Sequence, residues 1–256
     1  MSGSDAADLL EGVHRRGELL RRIGDGVRSK SDLDDELGVS RSTIDRGVRE
    51  LESAGLIERV DDGYRQTLCG RLALEEYDGF VRRIEGLSDG VDLLAELPID
   101  AELDLAMLSG TTVVEAERSS PHKPVEALYG LVESASSVRG FAPAVHPQQV
   151  ATYSDRIEAG MEAELVLTTD VIERMVSTYA EEFQDVSETG RVSVLEAAGD
   201  LPYSLTVART DDGPVAALMV YADGGIRGCV INDSRVAVEW ARDRYERERE
   251  RAVPLV

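Results

Sequence analysis

The sequence predicts an α+β chain: helices closed by a short hairpin, a long connecting helix, and an α/β domain with a mixed sheet. Three observations carry this. In residues 1–68 apolar residues recur at three and four spacing, and two short β-prone runs then flank Asp61-Asp62-Gly63. Residues 69–97 hold a seven-residue apolar repeat. From residue 98 onward strands alternate with helices before a strand-rich stretch. A length of 256 residues suits one or two domains at ~150 residues each. The expected divisions are 1–68, 69–97 and 98–256.

The first helix is expected from Asp5 to about Ile23, with Leu9, Leu10, Val13, Leu19, Leu20 and Ile23 as its apolar set. Ser31 with Asp34 predicts the start of a second helix and Gly38 its end. Ser40 starts a third, whose Ile44, Val48 and Leu51 form one buried face and which Gly55 ends. The runs LIERV and YRQTL around Asp-Asp-Gly make a hairpin. Helix, helix, short turn, helix, hairpin is the order of an N-terminal winged helix-turn-helix. A recognition helix buries one face and turns the other to the DNA major groove. Ser40, Arg41, Ser42, Thr43, Asp45, Arg46 and Arg49 would be outward, and Arg59 and Arg65 lie on the wing. Arginine can pair bidentately with guanine, while Ser and Thr can serve bases or phosphates. Asp61 and Asp62 at the wing tip would repel phosphates.

The stretch SDLDDELGVSRSTIDRGVRELESAGLIERVDDGYRQTLCG resembles the DNA-binding domain of archaeal ArsR-like winged-helix regulators over about 65 residues. The Gly-Val-Ser turn, the Ser-Arg-Ser-Thr-Ile opening and the Leu-x-x-x-Gly-Leu-Ile entry to the wing carry the resemblance.

In the connecting segment Ala73, Tyr77, Phe80, Ile84, Leu87, Val91 and Leu94 are spaced four and three alternately, a heptad seam that would pair two subunits. Gly79, Gly86 and Gly90 weaken the helix. A homodimer would set two recognition helices on half-sites about one DNA turn apart.

In the second domain the expected strands are 112–117, 137–142 and 163–168, alternating with helices over 121–135, 147–159 and 169–183. That order argues for parallel strands joined by right-handed crossovers. Four further strands follow (VSVLEA, YSLTVAR, PVAALMVY and GGIRGCVI), with Asp211-Asp212-Gly213 and Asp223-Gly224-Gly225 as turns. Asp233-Ser234 opens a last helix. The segments SSPHKPVEAL, VRGFAP, EAELVLT, LPYSL and VAVEWARDRYERERE resemble the effector domain of the archaeal methanogenesis- and filament-regulator family. The resemblance spans nearly the whole chain and implies a transcription regulator.

Ligands of open α/β sheets bind beyond the carboxyl ends of the strands. Those ends here are residues 118–122, 143–146 and 168–170. Ser119, Ser120, His122, Arg139 and Tyr203 are the candidate effector residues, with His122 and Arg139 suited to a carboxylate or phosphate. Such a chain would act as a dimer binding double-stranded promoter or operator DNA, its second domain sensing a small molecule or metabolic state. The alternative is a second domain that only oligomerises or recruits another protein.

Composition restricts other readings. The chain has 28 basic and 50 acidic residues, net −22, and its only lysines are Lys30 and Lys123. Such an acidic, lysine-poor composition resembles that of salt-loving organisms. Residues 1–68, with 11 bases and 15 acids, are relatively spared. No apolar run reaches the ~18–20 residues that span a bilayer, and the N-terminus lacks a basic, apolar leader. A cytoplasmic location away from membranes is expected. Cys69 and Cys229 make no disulfide framework, and His14, His122 and His146 have no zinc spacing, so no metal or cofactor is expected. Enzyme signatures are missing. There is no Gly-x-Gly-x-x-Gly after a strand and no Gly-x-Ser-x-Gly elbow. Residues 24–31 lack the second phosphate-loop glycine, and His122-Lys123 are adjacent where phospholipase-D-type sites have His-x-Lys.

Overall fold

Three helices and a hairpin build the first of two units, which part between Arg82 and Arg83. The computed structural model describes residues 3–24, 26–117, 119–222 and 225–255. Helices α1 (Gly3–Gly24), α2 (Lys30–Leu37) and α3 (Arg41–Ser53) precede strands β1 (Ile57–Val60) and β2 (Gly63–Gln66). Their core joins Val13, Leu20 and Ile23 of α1, Leu33 of α2, Ile44, Val48 and Leu51 of α3, and Tyr64 of the hairpin. Leu10 is exposed, contrary to expectation. At 100° per residue it lies about 80° round the helix from buried Leu20.

The α2 cap sits two residues before the expected one. Ser29 accepts from the Asp32 amide at 3.3 Å, and its own amide donates to the Asp32 carboxylate at 2.9 Å, a reciprocal capping box. Gly38 closes α2 at φ 62°, and Ser40 caps α3. The hairpin pairs Val60 with Gly63 across the two-residue turn Asp61-Asp62. Arg28 adds an unexpected third extended segment: its N–H and C=O exchange 2.9 Å hydrogen bonds with Tyr64. This explains Gly63. Its φ is +150°, and a Cβ there would overlap the Arg28 carbonyl oxygen.

The expected single helix over 69–97 is instead α4 (Leu68–Asp89) and a short α5 (Val91–Leu94), with Gly90 between them. Its heptad seam is divided too. Ala73 and Tyr77 pack on the first core, Leu87 and Leu94 on a core of the second unit, and Phe80, Ile84 and Val91 remain exposed. Gly86 is a seat more than a weakness, since a Cβ there would overlap the Leu108 carbonyl.

The second unit is a mixed sheet between two helical layers. Its elements are β3 (Thr112–Glu115), α6 (Lys123–Glu133), β4 (Ala135–Ala142), α7 (Pro147–Glu158), β5 (Glu162–Leu167), α8 (Thr169–Thr178), α9 (Ala180–Glu188), β6 (Val192–Glu196), β7 (Ser204–Thr210), β8 (Gly213–Ala222), β9 (Gly225–Asn232), α10 (Arg235–Arg251) and β10 (Val253–Pro254). The strand order is β10-β6-β5-β4-β7-β8-β9-β3. Among the described residues, the β4–β5 and β5–β6 pairs alone are parallel. β3 was expected among the parallel strands, but it pairs antiparallel with β9 at the far edge. A strand-helix pattern sets the direction of a crossover, not the distance it travels. The expected helix over 169–183 breaks at Tyr179. The expected turn at 223–225 falls partly outside the described residues.

Strand alternation sorts the interior into two cores. Val138, Ala163, Val194 and Ala208 face α6–α9. Phe141, Val166, Leu195 and Val207 face α10 and the turn over Leu105–Met107. Tyr245 of α10 donates a 2.6 Å hydrogen bond to Glu164 of β5, fastening that helix to the sheet. Among the described residues no helix is long and apolar enough to cross a membrane.

Replacing Gly63 by Ala is expected to destabilise the first unit by about 1–3 kcal/mol through strain and loss of the Arg28 pairing. Chemical denaturation followed by circular dichroism measures this, and Gly213→Ala, whose Cβ would meet nothing within 4 Å, separates strain at positive φ from the overlap.

Candidate functional site

The first candidate surface is the outer face of α3. Ile44, Gly47, Val48 and Leu51 are buried. Ser42, Arg46, Arg49 and Ser53 then lie on the opposite pole at 100° per residue. Arg46 and Arg49 are both exposed. Among the described residues neither makes an ion pair within 4.0 Å; Arg49 Nε donates only to the Asp45 carbonyl one turn back, at 3.1 Å. At the start of α3 the hydroxyls of Ser42 and Thr43 each lie 2.9 Å from Ser40 Oγ, which caps the helix. A helix N-terminus with free amides and hydroxyls favours anions.

Other expected contacts are partly occupied within the unit. Arg41 is 3.4 Å from Asp34. Arg65 pairs across the hairpin with Glu58 at 2.6 Å, so its charge is spent locally. Arg59, on β1, is exposed and has no ion-pair partner among the described residues. Asp45, expected to face outward, is half-buried and held by Lys30 Nζ at 2.5 Å.

That Lys30–Asp45 pair was not legible in the sequence. It joins the first residue of α2 to the second turn of α3. Arg16 of α1 likewise reaches Glu50 of α3 at 2.7 Å. These bonds depress the carboxyl pKa values: the Lys30 ammonium holds Asp45 below the usual range, and the Arg16 guanidinium does so for Glu50. The Ser29 amide does the same for Asp32 in the capping box.

The expected effector residues do not meet at one place. Ser119, Ser120 and His122 are exposed between β3 and α6, and His122 makes no side-chain cap bond. Arg118, beside them, lies outside the described residues. β3 is four strands from β4, so this loop stands about 19 Å across the sheet from the β4 end, at ~4.8 Å per strand. Arg139 shares a strand face with Phe141 and lies 3.7 Å from Glu246 of α10, on the opposite face of the sheet from α6. Tyr203 is 0% exposed and donates its hydroxyl to the Glu102 carbonyl. It cannot receive a ligand without unpacking. Thr169 at the β5 end donates to Glu196 at 2.7 Å.

Two cavities are formed by described residues of the second unit. One, of about 70 Å³, lies beneath α7 and α9, walled by Val150, Tyr153, Met175 and Phe183. Desolvation pushes the Tyr153 pKa up to about 12, so its phenol stays neutral. The other is a groove of about 720 Å³ that includes Arg139 and Arg242. Among the described residues no group of three or more His, Cys, Asp and Glu side chains is placed to hold a metal. Cys229 is buried, and burial pushes its thiol up to about 12.

Comparison with known proteins follows the same division. Residues 121–251 match the family described as methanogenesis regulatory protein FilR1, middle domain. Residues 4–88 match the HVO_A0261 N-terminal domain. No curated protein matches the chain. Among solved structures, the archaeal chromatin protein TrmBL2 is similar at 14% identity and TM-score 0.45, covering 96% of this chain and 98% of that one. Nuc from Salmonella typhimurium, a phospholipase D family member, is similar at 10% identity and TM-score 0.43, covering 57% and 97%.

The depressed carboxyls predict acid sensitivity. A carboxyl whose folded pKa lies below its unfolded value of about 4 stabilises the fold above that value, and the contribution is lost as pH falls through the folded pKa. Melting temperature should therefore fall as pH drops from about 5 to about 3. Asp45→Asn should melt lower at neutral pH and show a shallower fall; an unchanged pH profile would contradict the Lys30–Asp45 assignment.

Proposed function

The chain belongs to the family of the methanogenesis regulatory protein FilR1 middle domain, and from that membership we propose that it is a DNA-binding transcription regulator and not an enzyme. Residues 3–67 are read as a winged helix-turn-helix, with α3 as the recognition helix. The observation that carries this reading is the pole of α3, where Arg46 and Arg49 stand exposed, with no ion pair within 4.0 Å among the described residues, in a chain that has 50 acids to 28 bases. Around them the paired charges, Lys30 with Asp45 and Arg16 with Glu50, hold the helix and leave the pole to a ligand. Ser42 and Thr43 at the helix start suit a phosphate, and Arg46 suits a guanine edge. On the wing, Arg59 is better placed than Arg65, whose charge Glu58 already neutralises.

The protein is further read as a homodimer through the 69–97 segment. A strict heptad seam is not the support for this, because Ala73 and Tyr77 serve the first core. The support is the exposed ridge of Leu72, Phe80 and Ile84 on α4, at multiples of four residues. Rows of that spacing suit crossing helices at about −50° more than a coiled coil. The second domain is read as the sensor, since regulation requires a ligand that binds the DNA-competent and incompetent forms unequally.

Arg46→Ala is expected to weaken specific DNA binding by about 1–3 kcal/mol and relax preference at one base pair. Fluorescence anisotropy on a duplex obtained by selection from random sequence, and on its single-base variants, reads both effects. A uniform loss across all duplexes would make Arg46 a phosphate contact. Unchanged affinity for every duplex would overturn the assignment of α3.

A further inference from the structure

The groove of about 720 Å³ lies on the α10 face at the amino ends of β4, β5 and β6. Small-molecule sites span about 300–1,000 Å³, a range the 70 Å³ cavity beneath α7 does not reach. Sheet register brings charge together here. Ser137 stands opposite Arg209 and Arg139 opposite Val207, so Arg139 and Arg209 are diagonal neighbours on one face, about 7–8 Å apart. Arg242 of α10 lines the same groove.

Of these three arginines only Arg139 has an ion-pair partner among the described residues, Glu246 at 3.7 Å, which Arg249 also approaches at 3.7 Å; Arg191, Glu162 and Glu164 line the groove as well. Three arginines elsewhere in this unit are paired closely, Arg244 with Glu248 at 2.6 Å, Arg227 with Glu115 at 2.9 Å and Arg249 with Glu164 at 3.0 Å, whereas Arg174, Arg191 and Arg251 make no ion pair within 4.0 Å among the described residues. Arg139 and Arg209 are like charges on adjacent strands, and an anion between them removes their repulsion. Planar guanidinium groups bind phosphate oxygens bidentately, and the Ser137 hydroxyl adds a donor. Beyond them, Glu162 stands opposite Ser137 and has no partner among the described residues, which suits the hydroxyl groups of a ligand's body.

We propose that this groove binds a small phosphorylated, hydroxyl-bearing metabolite, its phosphate held by Arg139, Arg209 and Arg242, and that this is the effector site of the regulator. The effector role rests on the sensor reading above; the binding site does not.

The test is calorimetric titration of the full chain with glucose 6-phosphate, inorganic phosphate and glucose, followed by DNA-affinity measurement with each present. Glucose 6-phosphate is expected to bind at one site, inorganic phosphate to compete with it, and glucose alone not to bind. The double variant Arg209→Gln with Arg242→Gln should lose about tenfold or more in affinity. Because both side chains are exposed, its melting temperature should be kept. Arg235→Gln, on α10 outside the groove and paired with Glu239, should bind as the parent does. No binding of either phosphate probe, or equal binding by the double variant, overturns the site. If the double variant instead loses DNA affinity while neither small phosphate binds, the arginines belong to the DNA backbone and the proposal fails. Glucose 6-phosphate binding that leaves DNA affinity unchanged sustains the site and contradicts the sensor reading.

Discussion

The seating of α3 on α1 is the constraint on which the first unit depends. Ile44, Val48 and Leu51 are buried, and Gly47 lies so close that a Cβ would approach Leu19 to 2.6 Å. Burying each large apolar side chain contributes about 1.5–3 kcal/mol, against about 0–1 kcal/mol for an exposed ion pair. The core therefore decides the rotation of the helix, and Lys30–Asp45 and Arg16–Glu50 trim it. Once the rotation is set, the direction of Arg46 and Arg49 follows from helical geometry alone. A helix turned by one residue would bury an arginine.

The second unit obeys a different constraint, the alternation of strands between two helical layers. That alternation places Arg139 on the α10 side and the α6 loop on the other, whatever their nearness in sequence. It also brings Arg139, Arg209 and Ser137 to one face from two antiparallel strands. The charge pattern of the groove is thus a consequence of register. Local sequence around any one of these residues shows a solvated surface charge and nothing more.

Much of the fold was legible because local pattern and tertiary packing agree in it. The α3 face, the Gly38 stop, the hairpin and the last helix with its Ser234 cap are cases where period, cap and turn residue point one way. Legibility failed where two local solutions compete or where distant parts decide. Ser29 with Asp32 and Ser31 with Asp34 offer the same cap spacing. The chain takes the first because Arg28 is already paired with Tyr64 and the helix begins directly after it. The heptad seam of 69–97 is real in spacing, yet two cores draw on it and Gly90 interrupts it. Tyr203 sits in a polar-looking LPYSL run, but its alternation with Leu205 takes it inward. The exposure of Arg46 and Arg49 on one pole of α3 was legible from the helix period. The pairing of Arg65, the capture of Asp45 by Lys30 and the gathering of Arg209 and Arg242 were not, since each needs a partner far away in the chain.

The most direct measurement is genome-wide DNA occupancy of the tagged protein in its own cells, for the wild type and for a variant with Arg46 and Arg49 both changed to Ala. The account predicts discrete sites that share an inverted repeat with half-sites about one helical turn apart, and their loss in the variant. Sites retained by the variant, or no discrete occupancy across several growth conditions, would contradict the assignment of α3 as the helix that reads DNA.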